Sequence, residues 1–143
     1  MATRIESRAR ARALQALYAW DMRGGRELER IASEVWDDLA VPPEERRIAG
    51  LLVRVVVKEG RDLDRRITDV TSNWRLERIG AIERSVLRLA AAELHQGETP
   101  PRVVLKEAVR LAERYGSPTS AKFVNGVLDG VYRKLKDEGL IAD

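Results

Sequence analysis

The chain has 143 residues, 44% hydrophobic and 34% charged, enough to bury roughly two thirds of its unfolded surface without a stapling metal or disulfide, in the balance of amphipathic helices rather than of disorder. It has no cysteine, which excludes disulfides and thiolate chemistry, and no uncharged apolar run near the ~18 residues of a membrane span or the h-region of a signal peptide, so a cytoplasmic location is expected. The net charge of +3 is local: residues 1–26 hold six arginines against Glu6 and Asp21, while the remaining 20 basic and 21 acidic residues nearly cancel, and a concentrated patch of this kind is what a polyanion partner requires.

Apolar spacing is helical almost throughout. Residues 4 to 23 predict a first helix, ended by Gly24 and Gly25. A second runs from about Arg26 to Leu39 and is closed by Val41-Pro42-Pro43. Pro43 suits the first turn of a third, whose apolar residues recur from Ile48 to Val70; Gly60 costs about 1 kcal/mol relative to Ala there and leaves open one long helix or two. Thr71-Ser72-Asn73 is the best internal boundary. Beyond it come a helix ending near Leu94, a turn-rich stretch from His95 to Pro101, a helix stopping at Gly116, and a last helix that Ser117 caps and Pro118 opens. Nothing reads as a strand. The expected architecture is all-α, about seven helices, with residues 1–143 as one domain made of an N-terminal sub-bundle (1–72) and a C-terminal one (73–143).

At 100° per residue, Arg4, Arg8 and Arg12 follow one stripe of the first helix with Gln15 among them, opposite an apolar seam of Ala9, Ala13, Ala16, Leu17 and Trp20. Arg10 falls outside the stripe, near the rim of the apolar side, where incomplete packing is expected. Tyr18 borders stripe and seam. Arginines in the opening turns oppose the helix dipole by a few tenths of a kcal/mol each. Folding does not explain them, whereas phosphate oxygens would suit their forked donors and Tyr18 could stack an unpaired base. A merely solvated basic face and an organelle transit peptide are the plainer alternatives; the segregation of charge beside an aromatic argues against the first, and Glu6 with the unbroken run into Leu14, Leu17 and Trp20 against the second.

Catalytic candidates are few. His95 is the sole histidine, and no Glu-x-x-His pair, phosphate loop or nucleophile elbow occurs, so neither an enzyme site, a metal nor a cofactor is expected. Asp37-Asp38 and Glu44-Glu45 read as solvated or capping carboxylates. Trp20, Trp36 and Trp74 read as core or interface anchors. In AKFVNG (121–126), Val124 belongs to the core face, Phe123 lies at its border, and Lys122 and Asn125 point away; an aromatic between an ammonium and an amide can stack a base, though peripheral core is the plainer reading.

Taken in order, ARALQALYAW, AIERSVLRLAAAEL, VVLKEAVRLAERYG and SAKFVNGVLDGVYRKL resemble the NusB family of bacterial transcription antitermination factors across nearly the whole chain. The resemblance implies an all-helical, non-catalytic protein that pairs with NusE, a small-subunit ribosomal protein. Together they bind boxA-type single-stranded RNA and join RNA polymerase and other Nus factors, notably on ribosomal RNA operons. It also implies RNA contacts at Arg4, Arg8, Arg10, Arg12, Tyr18, Lys122, Phe123 and Asn125, to which the stripe geometry adds Gln15, and a partner contact at Glu83. Ile5-Glu6-Ser7 interrupts the family's basic cluster, and Lys106 replaces a common Asn. The resemblance leaves a homodimer open. It also leaves two other readings: an RNA-binding domain split from a ribosomal RNA cytosine methyltransferase, and a helical adaptor that does not bind RNA.

Overall fold

The computed structural model describes residues 3–71 and 75–141; Ser72, Asn73 and Trp74, which include the expected sub-bundle boundary, lie outside the described residues. Six α-helices and one 3-10 turn, with no strand among the described residues, follow the order α1 (Arg4–Met22), α2 (Leu28–Asp38), α3 (Pro43–Val70), the turn Leu76–Arg78, α4 (Ala81–Gln96), α5 (Pro101–Tyr115) and α6 (Pro118–Asp137). The short turn before α4 is the element that apolar spacing did not announce, since three residues are too few to show a period.

Local chemistry sets the helix ends. Thr3 caps α1 by accepting the Glu6 N–H at 3.1 Å, and Ser117 caps α6 by accepting that of Ser120 at 3.1 Å, each satisfying an orphan donor of a first turn. Prolines open α3, α5 and α6, where a missing N–H costs nothing. Gly60 does not break α3, which runs unbroken for 28 residues, about 42 Å. Its intrinsic penalty is small against the burial of Leu52, Val53, Val56, Leu63 and Ile67 on either side.

One contiguous core joins residues from all six helices. Helix α1 packs on α3, α2 and α4, and the end of α3 lies against α6. There the packing is close: a Cβ on Gly130 would stand 2.5 Å from Val70 Cγ1, so a larger residue fits only if the Val70 side chain shifts. Helix α1 is also held by polar contacts. Near its C-terminus Asp21 accepts from Arg84 and Arg88 of α4, the latter at 3.2 Å. The Arg88 guanidinium lies 5.2 Å from the centre of the Trp20 ring. Trp36 of α2 donates its indole N–H to the Arg12 carbonyl at 3.0 Å. These ties fix the orientation of α1, and so decide which of its arginines meet solvent.

Candidate nucleic-acid interface

The stripe of α1 forms one wall of a groove of about 350 Å³ whose other wall is α5; Arg4, Ser7, Arg8, Ala11, Arg12 and Gln15 face Arg110, Leu111, Arg114 and Tyr115 across it. Two side-chain bridges cross the floor. Ser7 donates to Glu107 at 2.7 Å, and the Gln15 amide reaches the Tyr115 hydroxyl at 3.5 Å. Both partners are displaced by eight residues between the bridges, so α1 and α5 run side by side in the same direction for about 12 Å.

Arg4 and Arg8 are exposed, and neither has an ion-pair partner among the described residues. Arg12 is partly committed: its Nε donates to Glu45 at 3.1 Å and its Nη1 to Gln15 at 3.3 Å. Glu45 is buried, which corrects the expectation of a solvated or capping carboxylate; the first turn of α3 packs against α1, and Arg12 is the charge that makes its burial tolerable. Asp37 is exposed but tethered to Arg46 at 2.6 Å.

Arg10 departs from expectation most sharply. Packing around it is complete rather than incomplete: it is 4% exposed. Its Nε bonds both Glu93 oxygens at 2.9 and 3.0 Å, and its Nη1 approaches Glu107 at 3.5 Å. Burial alone would lower its pKa, but the hydrogen bond and charge of Glu93, with the charges of Glu107 and Glu6, override that and leave it above the ordinary arginine value. A guanidinium buried against two buried carboxylates presents no accessible donor to a phosphate. Its physical role is to clamp α1 to α4 and α5, and the assignment of Arg10 as an RNA contact does not fit this geometry.

The other candidates lie off the groove. Tyr18 is 37% exposed on the solvent side of α1. On α6, Val124, Val127, Leu128 and Val131 are buried, Lys122 and Asn125 are exposed, and Phe123 is half-buried against the core; none of the three lines the groove. Glu83 is half-buried at the start of α4 and accepts a hydrogen bond from Ser120 of α6, so it joins the α4 and α6 N-termini rather than standing free. The α5–α6 turn between the two regions is tight: a Cβ on Gly116 would meet Ser120 Oγ at 2.6 Å and the Ala112 carbonyl at 2.8 Å.

Sequence reasoning missed the α5 wall. Arg110 and Arg114 stand one turn apart on either side of the buried Leu111 and Ala112, and this basic pair beside an apolar stripe was its available signal. His95 is exposed, 3.8 Å from Glu59, and no group of three or more potential metal ligands occurs among the described residues. No described helix is long and apolar enough to cross a membrane.

A model of the NusB family matches residues 7–133. The chain is 43% identical over 132 residues to the transcription antitermination protein NusB of Anaeromyxobacter dehalogenans, covering 90% of this chain and 91% of that protein. It is 42% identical over 130 residues to the protein of the same name from Sorangium cellulosum, covering 90% of this chain and 92% of that protein. It also matches a chain in the crystal structure of the antitermination factors NusB and NusE in complex with double-stranded RNA, with a TM-score of 0.84 and 30% identity over 93% of this chain and 99% of that one.

Proposed function

The chain belongs to the NusB family, and on that premise we propose that it is a transcription antitermination factor without catalytic activity. In this reading residues 1–143 act as one RNA-binding unit that pairs with NusE on boxA-type RNA. The pair then helps to assemble an antitermination complex with RNA polymerase, notably on ribosomal RNA operons. The protein works in the cytoplasm.

The observation that carries the reading is the pair Arg4 and Arg8, exposed and without an ion-pair partner among the described residues at the opening of α1. A helix N-terminus already carries partial positive charge, so Arg4, the first helical residue, is disfavoured there until an anion arrives. Phosphates of an RNA strand supply that anion, and Arg12 and Gln15 extend the donors along the same wall. Tyr18, Lys122, Phe123 and Asn125 are the proposed base-stacking and backbone contacts beyond the groove. Glu83 is the proposed partner contact, oriented by Ser120. Arg10 supports the interface from beneath, as a positioning residue.

A gel shift with boxA-like and scrambled single-stranded RNA, with and without NusE, at two salt concentrations, tests the reading. The expected result is preference for the boxA-like strand, tighter binding with NusE, and weaker binding at the higher salt. Equal affinity for both RNAs, unaffected by NusE or by salt, would contradict it.

A further inference from the structure

We infer that α5 supplies a second cationic wall to the RNA site, so that a single sugar-phosphate strand runs in the groove between Arg4, Arg8 and Arg12 on one side and Arg110 and Arg114 on the other. The inference rests on the RNA-binding reading above and adds to it the path of the ligand and the second wall that lines it.

Five guanidinium groups from two helices converge on this one groove. Among the described residues Arg12 pairs with Glu45, and Arg110 lies 3.7 Å from Oε2 of Glu107, a carboxylate whose Oε1 also serves Ser7 and the buried Arg10. Arg114 makes no ion pair among the described residues and lies 5.4 Å from the Tyr115 ring centre, an arrangement that holds its planar donors at the groove edge. The local charge is therefore strongly positive, and like charges at such close quarters oppose folding slightly unless an anion bridges them.

The shape selects the form of the anion. The walls run parallel, and residues four apart on each rise together by about 6 Å per step, a ladder that can follow successive phosphates of an extended strand. Between the walls, Ala11 and Leu111 give an apolar floor for ribose, and the Gln15–Tyr115 bridge closes one end. A groove of about 350 Å³ is of small-ligand size. Its two cationic walls can grip one sugar-phosphate strand from both sides.

The test compares the full chain with two double variants, Arg110→Ala with Arg114→Ala and Arg4→Ala with Arg8→Ala. Each is titrated with a boxA-like single strand and with a blunt duplex of the same length across several salt concentrations. All four side chains are exposed, and circular dichroism verifies that both variants fold. For the single strand, the α5 variant is expected to lower the slope of log K against log salt by about 1.4, the share of two phosphate contacts, while changing duplex affinity much less. Substituting lysine at both α5 positions is expected to restore the slope. Wild-type affinity and slope in the α5 variant, with loss in the α1 variant, would overturn the second wall and leave the RNA reading standing. If both double variants bind as the wild type does, the RNA reading itself fails. An equal loss on the duplex would overturn the single-strand assignment.

Discussion

Arg8 and Arg10 are two residues apart on one helix, yet the rotation of about 200° between them separates two kinds of electrostatics. On the inner flank, Arg10 meets Glu93 and Glu107 in a buried contact between α1, α4 and α5, where charge and counter-charge are largely withdrawn from water together. On the outer flank, Arg4 and Arg8 keep their hydration and have no protein partner among those described. The inner arginine holds the helix in place, and the outer ones remain available. Arginine content alone therefore says little about RNA affinity.

Breaking the inner flank is expected to give the largest effect. Arg10→Ala leaves two buried carboxylates without their cation and should cost about 3–5 kcal/mol of unfolding free energy, read from urea titrations. RNA binding by the folded fraction should keep its salt slope, because no phosphate contact is lost; a lowered slope at unchanged stability would reverse the roles of the two flanks. Tyr18→Ala is expected to weaken RNA binding by about 1–3 kcal/mol if the ring stacks a base, with stability little changed, and fluorescence titration with a boxA-like strand would measure it. Lys122→Ala should lower the salt slope by about 0.7, one phosphate contact. The smallest effect sharpens the comparison at Arg12, which belongs partly to each flank. Glu45→Gln removes the carboxylate that competes with phosphate, and RNA affinity at low salt should rise by about 0.2–1 kcal/mol. A fall would mean that Glu45 positions Arg12 for RNA rather than restraining it.

The elements themselves were largely legible because their signals are local. Pro43 and Pro118 mark helix starts, Gly116 marks a stop, and Val124, predicted as core, is buried, whereas Pro101, read as part of the preceding turn, opens α5. The exposed side of α1 followed from rotation by 100° per residue. Arg10 was misjudged because its partners lie 83 and 97 positions away, beyond any periodicity of α1. The clue lay in the other helices: Glu93 sits between Ala92 and Leu94, and Glu107 between Val104 and Leu111, all buried. A carboxylate inside an apolar stripe needs a buried cation somewhere. The α5 wall escaped for a related reason, since Arg110 and Arg114 read as an ordinary solvated face until the fold sets them opposite α1. Glu45 was misread as a helix-start carboxylate because the packing of α3 against α1 is a tertiary fact.

The central claim, that the outer arginines of α1 exist for an RNA backbone and not for the fold, is tested most directly by one pair of titrations. Wild type and the Arg4→Ala with Arg8→Ala double variant are compared for single-stranded boxA-like RNA affinity across a salt series. The account predicts a slope of log K against log salt shallower by about 1.4 in the variant, with no loss of unfolding free energy and a gain of at most a few tenths of a kcal/mol per arginine removed. Two superimposable lines would contradict it.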